Sequence, residues 1–412
     1  ADDATHFMDV IAASKNAGAF DDLILYLKMA RQKVKDVKID NELLYSYARV
    51  ERLADLEDFL AATNIAKVQD VGDIFFNEGL YQAARICFTH VNNNAKLAIT
   101  LVRLKLYAEA VEAARKANNI LTWKEVCFSC VVATEFRLAQ MCAMHIIVYM
   151  DHLLDLVHHY ERFGYFQELI AVLEQGINLE RSHQGLYTQL GVLYAKYKEE
   201  KLMEHIKLFW SRLNIPTLLV ACQQNLHWNE AVFLYTHYDQ FDNAIDVLIQ
   251  HSAECWKHSL FKEIILQVSN TEIYYRALNF YLQEHPLLLN DLLLDLSGKL
   301  DHSRVVDIVS RVDHIPLIEK YLLHVQRENI INVNEALNAL YVKTENYKAL
   351  RASIDAYGHF DQIALAQSLE SHELMEFRRI SAHLYKLNKR FERSMELSKK
   401  DGLWADAMQT AA

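Results

Sequence analysis

The sequence has 412 residues with only 3 prolines and 10 glycines, so residues that break helices are scarce along its whole length. Its formal charge of −11 disfavours nucleic acid as a partner and leaves no basic stripe for a membrane surface. No apolar run approaches the roughly 18 residues that span a bilayer, and six cysteines are too few for a disulfide scaffold, which favours a reducing cytoplasmic setting.

In chain order, residues 1–62 follow a helical pattern, and the remainder divides into predicted hairpins. The predicted pairs of helices cover 64–91 with a turn at Gly79, then 97–118, 123–150, 151–185, 186–213 and 227–250. In the pair 227–250 the turn is expected at Thr236–Asp239. Pro216, Pro286 and Pro316 lie where one helix gives way to the next, and four helices are expected over 346–412.

An aromatic residue followed three positions later by alanine recurs along the chain. The pairs are Tyr81–Ala84, Tyr107–Ala110, Phe136–Ala139, Trp228–Ala231 and Phe241–Ala244, with a looser version at Phe166–Leu169. The aromatic residues at positions 81, 107, 136 and 166 follow one another at steps of 26, 29 and 30 residues. A half-step of 13 residues separates Trp228 from Phe241, Tyr347 from Phe360, and Phe391 from Trp404. A spacing of three puts both members on one helix face, and this period is typical of one helical hairpin per repeat. The sequence therefore predicts an all-α fold, an elongated α-solenoid of antiparallel helical hairpins.

Cysteine and histidine spacing suggests a metal site only superficially. Cys127-x-x-Cys130 is followed by Cys142-x-x-His145, but both segments read as continuous helix without the turn that gathers zinc ligands. We expect core packing, no metal and no cofactor. Neither an H-E-x-x-H motif nor a glycine-rich phosphate loop is present, so no catalytic residue is assigned and an enzyme is not expected. Protonation of part of the 19 histidines near pH 6 is expected to favour association between copies.

The hairpin 186–213 carries a candidate partner surface. In its second helix Leu202, Ile206, Phe209 and Leu213 form the predicted buried stripe. Beside it runs a second row at steps of four and three, formed by Met203, Lys207 and Trp210. Five basic residues (Lys196, Lys198, Lys201, Lys207 and Arg212) outnumber three acidic ones there. This row suits an acidic amphipathic helix, the alternative being that Trp210 packs under the next hairpin.

At the end of the chain, Phe391–Ser394 and Trp404–Ala407 form a hairpin with no further copy to cover it. Its uncovered apolar side is expected to meet other chains around a three-fold axis. The 412-residue chain alone is then expected to be mainly monomeric.

Several segments are similar to the clathrin heavy-chain family. They are TWKEVCFSC (122–130), EFRLAQMC (135–142), LFWSRLNIP (208–216), HPLLLNDLL (285–293), RASIDAYGHFD (351–361) and HELMEFRRI (372–380). The resemblance is collinear and covers essentially all of the chain. It implies the proximal leg of a three-legged coat protein, up to the start of the trimerisation region. It further implies leg repeats over 96–250 and 251–390, with part of a repeat at 1–95 and the trimerisation region from 391 to 412.

The resemblance implies a structural role in a polyhedral lattice on transport vesicles, at the cytosolic face of coated pits. The implied partners are a light chain and other heavy chains, first as a homotrimer and then as a cage, with the membrane reached only through adaptors. We expect light-chain binding at Lys196, Lys198, Lys201, Met203, Lys207 and Trp210, and trimer contacts at Phe391, Ser398 and Trp404. At Ser398 animal members are expected to have a cysteine. The competing hypothesis is a cytosolic tethering or adaptor solenoid that forms no cage.

Overall fold

The computed structural model describes residues 6–411, which form helices, turns and short loops without a β-strand. The chain divides into two compact units, Ala1–Ala221 and Cys222–Ala412, and the division falls within one helix, α15 (Ile215–Gln224). The predicted all-α class is confirmed. Each unit is a series of antiparallel helices that pack on their neighbours in sequence, as in solenoid repeats.

The first unit contains, before α15, fourteen α-helices among the described residues and a 3₁₀ turn at Trp210–Arg212. The helices are α1 (Phe7–Ala17), α2 (Phe20–Lys33), α3 (Val37–Arg49), α4 (Leu53–Ala61), α5 (Val68–Asn77), α6 (Tyr81–His90), α7 (Asn94–Arg103), α8 (Tyr107–Ala117), α9 (Ile120–Val132), α10 (Phe136–Ile146), α11 (Met150–Phe163), α12 (Phe166–Gly176), α13 (Gln184–Tyr197) and α14 (Glu199–Phe209).

The second unit continues after α15 with shorter helices and three 3₁₀ turns, at Pro286–Leu288, Ile315–Ile318 and Gln326–Glu328. The helices are α16 (Trp228–His237), α17 (Phe241–Gln250), α18 (Ser252–Cys255), α19 (His258–Ile265), α20 (Thr271–Glu284), α21 (Leu289–Leu296), α22 (His302–Arg311), α23 (Glu319–Val325), α24 (Ile331–Lys343), α25 (Tyr347–Ala356), α26 (Gln362–Leu369), α27 (Met375–Leu387), α28 (Phe391–Lys400) and α29 (Trp404–Ala411).

A turn of three residues joins the helices of most pairs and explains the 13-residue step. In the pair α16–α17, ten helical residues are followed by Tyr238, Asp239 and Gln240 before Phe241 begins the next helix. The middle residue has a left-handed backbone, with φ of +55° at Asp239, and the N–H of Gln240 donates to the carbonyl of Tyr235 at 2.9 Å. This is the Schellman arrangement, in which a left-handed residue satisfies the last carbonyls of a helix.

The left-handed position is filled by glycine at only some turns. Gly79, predicted as a turn residue, has φ of +81° and lies between α5 and α6. Lys105 and Thr134 occupy the same position in the next two pairs, with φ of +62° each. An L-residue in this region costs about 1–2 kcal/mol, which the closing hydrogen bonds and helix packing offset.

The aromatic–alanine pair has a specific place in each helix. Tyr81, Tyr107, Phe136, Trp228 and Phe241 are each the first residue of a helix and are only partly buried. The alanine that follows each of them is completely buried. The alanine lets a neighbouring backbone approach, while the aromatic ring contacts another ring, as Phe136 does with Tyr165 and Trp228 with His251.

Each unit has its own apolar core. In the first unit, one core extends from Ile11 to Phe88 and is built mainly from leucine, isoleucine, alanine and phenylalanine. In the second, a continuous core extends from Val232 to Leu397. Outside these cores, ion pairs join helices about 30 positions apart, for example Arg52 to Asp21, Lys124 to Asp155 and Arg304 to Glu272.

Three details of the predicted organisation were wrong. The turn of the hairpin 227–250 covers residues 238–240, because His237 still belongs to α16. Residues 346–411 hold five helices instead of four, because α26 forms after a loop over residues 357–361. Phe360 lies in that loop and therefore begins no helix, unlike Tyr347. The predicted repeat boundaries fall at Lys96 inside α7, at Gln250 ending α17 and at Arg390 before α28, and these stay predictions.

Candidate interaction surfaces

The hairpin of α13 and α14 is held together by close packing. Gly191 on α13 lies close to its neighbours, because a Cβ there would be 3.1 Å from Cδ1 of Leu218 and 3.4 Å from Cδ2 of His205, and Leu218 would have to shift slightly to admit it. His205 is buried, and its Nε2 lies 2.9 Å from the carbonyl oxygen of Tyr187. Burial lowers the pKa of His205, although that hydrogen bond opposes the effect, so the ring packs as a neutral group.

The predicted buried stripe of α14 agrees with the structure except at its end. Leu202, Ile206 and Leu213 are buried. Phe209 is half-buried, with its ring centroid 5.0 Å from that of Tyr187. The α-helix ends at Phe209, and a 3₁₀ turn carries Trp210 onward. The stripe therefore crosses from helix to turn without losing its inward direction.

Two of the lysines proposed from sequence are ion-paired within the chain. Lys196 Nζ lies 2.9 Å from Glu161 Oε1 on α11, and Lys201 Nζ lies 2.8 Å from Glu174 Oε1 on α12. Burial alone would raise the pKa of Glu174, but hydrogen bonds from Lys201 and Tyr194 lower it. The same hydrogen bond raises the pKa of Lys201. Both lysines therefore stabilise the stacking of helices, and their charges are partly neutralised.

The second row lies at the surface, with one addition that the sequence pattern did not indicate. Met203 is half-buried, Lys207 is exposed, and Trp210 is 41% exposed. Lys198 is half-buried at the end of α13. Leu208, next to Lys207, is 65% exposed and lies outside both predicted rows. The sequence feature that could have identified Leu208 is an apolar residue at a position predicted to face solvent. We call Met203, Lys207 and Trp210 the α14 surface, and Leu208 lies about 100° from Lys207 around the helix.

The last hairpin, α28 and α29, presents a second apolar surface. Phe391 is 46% exposed, Trp404 is 61% exposed, and Met408, which sequence reasoning missed, is 67% exposed. Met408 follows Trp404 by four residues, which places both on one face of α29. Ser398, by contrast, is 2% exposed, so its side chain packs inside the hairpin and offers no outer surface. We call Phe391, Trp404 and Met408 the α28–α29 surface.

The six cysteines are all free and buried. Cys127 Sγ donates to the carbonyl oxygen of Ala139 at 3.4 Å, which places this thiol between α9 and α10. Burial raises the pKa of Cys130 to about 11 and of Cys87 to about 12, and raises that of Cys127 and Cys142 as well. Such thiols remain protonated at neutral pH. Within residues 6–411, no group of three or more His, Cys, Asp or Glu side chains could hold a metal ion.

Several histidines stack on aromatic rings between helices. The centroid distances are 4.3 Å for Trp123–His145, 4.0 Å for Phe128–His159, 3.5 Å for Trp228–His251 and 3.7 Å for Trp256–His285. Burial lowers the pKa of His145 and His159. These two imidazoles therefore resist protonation near pH 6, which removes them from the groups that could promote association by gaining charge.

No helix in the described part of the chain is long and apolar enough to cross a membrane. The two surfaces described above lie one in each compact unit. Each combines exposed large apolar side chains with nearby basic residues, a combination common where proteins bind each other.

The family described as the region in clathrin and VPS matches residues 1–138, 145–289 and 293–412. The chain is 52% identical to clathrin heavy chain 1 of Oryza sativa subsp. japonica and 51% identical to the clathrin heavy chain of Dictyostelium discoideum. Both alignments cover 412 residues, so the chain spans about a quarter (24%) of the length of these relatives and is itself covered completely. Among solved structures, the human IFIT1 dimer with PPP-AAAA matches at a TM-score of only 0.21 and 13% identity, covering 98% of this chain and 89% of that chain. Because the family match extends over nearly every residue, the chain belongs to the clathrin-type family of the region shared by clathrin and VPS proteins.

Proposed function

We propose that this chain is the proximal part of the leg of a clathrin-type coat protein. The observation that carries the proposal is the collinear identity of about half of all 412 residues to clathrin heavy chains of a plant and an amoeba. A structural role also fits the chemistry of the molecule, since its titratable clusters form ion pairs between helices. On this proposal the protein is not an enzyme and needs no cofactor.

The physical basis of the role is the addition of many weak contacts. Stacked hairpins expose rows of charged and polar side chains, and copies that lie side by side gain a small free energy from each row. Contacts that are individually weak permit both assembly and dismantling of a coat. The protein would act at the cytosolic face of coated pits and vesicles, reach the membrane through adaptors, and bind no nucleic acid. The predicted repeats, 96–250 and 251–390, are the structural modules of this leg.

The α14 surface is the proposed binding site for a light chain. An acidic amphipathic helix would place its apolar side on Met203 and Trp210 and an acidic side chain near Lys207. Lys198 adds positive charge beside this contact. Lys196 and Lys201 would contribute less than the sequence suggested, because Glu161 and Glu174 already neutralise them.

The α28–α29 surface is the proposed start of the trimer contact. Phe391, Trp404 and Met408 are large apolar side chains that are each exposed on the last hairpin. Three copies around a three-fold axis would bury them. Ser398 would support this contact indirectly, by packing inside the hairpin that carries them.

Assembly of the full-length protein tests the proposed function. Purified full-length protein would be brought from pH 7.5 to pH 6 and imaged by electron microscopy. Closed polyhedral cages are expected. Dispersed particles under every condition, together with binding to peptide partners, would instead support the tethering or adaptor hypothesis.

A further inference from the structure

A small polar cavity lies within the second unit, between α25, α27, α28 and α29. Its volume is about 120 Å³. It is lined by Arg351, Arg379, Ala382, His383, Lys386, Ser394, Ser398, Asp406, Gln409 and Thr410. Cavities that hold drug-sized molecules measure roughly 300–1,000 Å³, so this one is suited to a single small group.

Two buried serine side chains lie in the cavity wall. Ser394 and Ser398 are each 2% exposed, and both line the cavity. His383 Nε2 lies 3.4 Å from Asp355 Oδ1, so that ring is already engaged by a carboxylate. A serine hydroxyl can donate one hydrogen bond to a bound group. The cavity therefore offers two hydroxyl donors to a small polar group.

Three cations border the same cavity and keep donors available. Arg351 Nε donates to Asp355 Oδ2 at 2.8 Å, and Lys386 Nζ donates to the carbonyl oxygen of Gln409 at 3.0 Å. Arg379 holds both carboxylate oxygens of Asp406, at 2.5 and 3.0 Å. Since a guanidinium has five N–H donors and an ammonium three, each cation retains donors that these bonds do not use.

The surrounding charge also favours an anion. Residues 375–400 carry eight basic side chains against three acidic ones, a net +5 in a chain of −11. At the cavity itself, Asp355 and Asp406 offset two of the three positive charges. The remaining charge of +1 and the two serine hydroxyls match a group that carries negative charge and several acceptor oxygens.

We infer that this cavity binds one tetrahedral phosphate group, either as free phosphate or as the phosphate of a small soluble monoester. The hydroxyls of Ser394 and Ser398 would donate to two of its oxygens, and Arg351 and Lys386 would supply charge-assisted hydrogen bonds. Bound phosphate would tie α25 to α27 and α28, and so would brace the hairpin that carries the α28–α29 surface. The site is independent of whether the chain forms a coat.

Direct binding to the 412-residue chain tests the inference. Inorganic phosphate and inositol 1,4,5-trisphosphate would be titrated separately by calorimetry. Chloride would be adjusted to keep the ionic strength constant. The variant Arg351→Gln/Lys386→Gln removes two cavity cations. The matched control, Lys399→Gln/Lys400→Gln, removes two exposed cations of the same segment that do not line the cavity. A third variant, Ser394→Ala/Ser398→Ala, removes only the hydroxyls.

We expect saturable binding of one phosphate group, weakened about tenfold or more in the first variant and about threefold or more in the serine variant, with less than about a twofold change in the control. Circular dichroism confirms that each variant is folded. Tighter binding of the trisphosphate would identify the ligand as a monoester, and equal or weaker binding would identify free phosphate. Absence of saturable binding to the parent chain, or equal weakening in the cavity variant and the control, would overturn the inference.

Discussion

The imidazole of His145 lies face to face on the indole of Trp123, with ring centroids 4.3 Å apart and planes 12° from parallel. The stack joins α10 to α9, and it is built from a residue that can gain charge. Burial, and secondarily the nearby charge of Arg115, lower the pKa of His145. Stability of the first unit is therefore coupled to pH through this contact.

Acid is expected to destabilise the first unit through His145, His159 and His205. The pKa of each is lowered in the fold from an ordinary value of 6.5. Below about pH 6.5 the unfolded chain binds protons that the folded chain does not. The free energy of unfolding therefore has its full value above that pH and decreases as the pH falls toward the lowered pKa values of the folded chain. Urea unfolding at pH 7.5, 6.5, 5.5 and 5 measures this.

The variant His145→Gln should lose less stability between pH 6.5 and pH 5 than the parent chain. His158→Gln is the matched control, because His158 is an exposed residue on α11. If the two variants kept the same pH dependence as the parent chain, burial of His145 would not be the cause.

Substitution on the α14 surface should weaken light-chain binding. Lys207→Glu reverses an exposed charge beside Trp210, so an acidic partner helix would be repelled, by about three- to tenfold in affinity. Lys116→Glu, an equally exposed reversal on α8, is the control and should leave affinity unchanged. Calorimetry with purified light chain distinguishes them, and equal affinities for all three proteins would place the site elsewhere.

Thr134→Gly should stabilise the protein by about 1 kcal/mol. Thr134 is β-branched yet has φ of +62° in the turn between α9 and α10, a conformation that glycine adopts without strain. Thr344→Gly is the control, since Thr344 precedes the left-handed residue of its turn and has φ of −93°. In thermal unfolding, the midpoint temperature should rise for Thr134→Gly only. A lower midpoint temperature in both variants would mean that Thr134 is not strained.

The buried thiols should be unreactive in the folded protein. All six cysteines are buried, and burial raises the pKa of Cys87 to about 12 and of Cys255 to about 11, so thiolate is scarce at pH 8. A chromogenic disulfide reagent should label far fewer than six thiols in buffer and all six in guanidinium chloride. Rapid labelling of several thiols in buffer would show that the helices open locally.

Loss of the α28–α29 surface should weaken trimers of the full-length protein. Phe391→Ala/Trp404→Ala removes two exposed apolar side chains, so the folded chain should keep its helical content while the trimer dissociates at higher concentration. Leu287→Ala, which removes a very exposed leucine on another helix turn, is the control. Sedimentation velocity measures the species, and unchanged trimers in the double variant would contradict the assignment.

Helical periodicity was the part of the fold that the sequence predicted best. The step from Trp228 to Phe241 combines a helix of ten residues and a turn of three, and both lengths are local properties of the chain. The turn residues were harder to place. The glycine at position 79 allowed the sequence pattern to indicate a turn there. Lys105 and Thr134 adopt the same left-handed backbone conformation without a glycine, because the flanking helices impose that conformation.

The candidate surfaces were only partly predictable, because they depend on contacts between distant residues. Met203, Lys207 and Trp210 could be placed by helical spacing alone. The pairing of Lys196 with Glu161 could not, since the two are 35 positions apart and meet only after the helices stack. For the same reason the burial of Ser398, and the cavity beside it, became visible only in the folded chain.

The three-residue turn restricts how a chain of this kind can change its length. A residue inserted between α7 and α8 would break the hydrogen bond from the N–H of Leu106 to the carbonyl of Leu101 and rotate the next helix by about 100°. Glu109, an exposed acidic residue, would then take the completely buried position of Ala110. Single insertions are therefore far more damaging than substitutions, and heritable changes in length should be tolerated chiefly in the longer loops, such as residues 357–361, or as the gain or loss of a whole pair of helices.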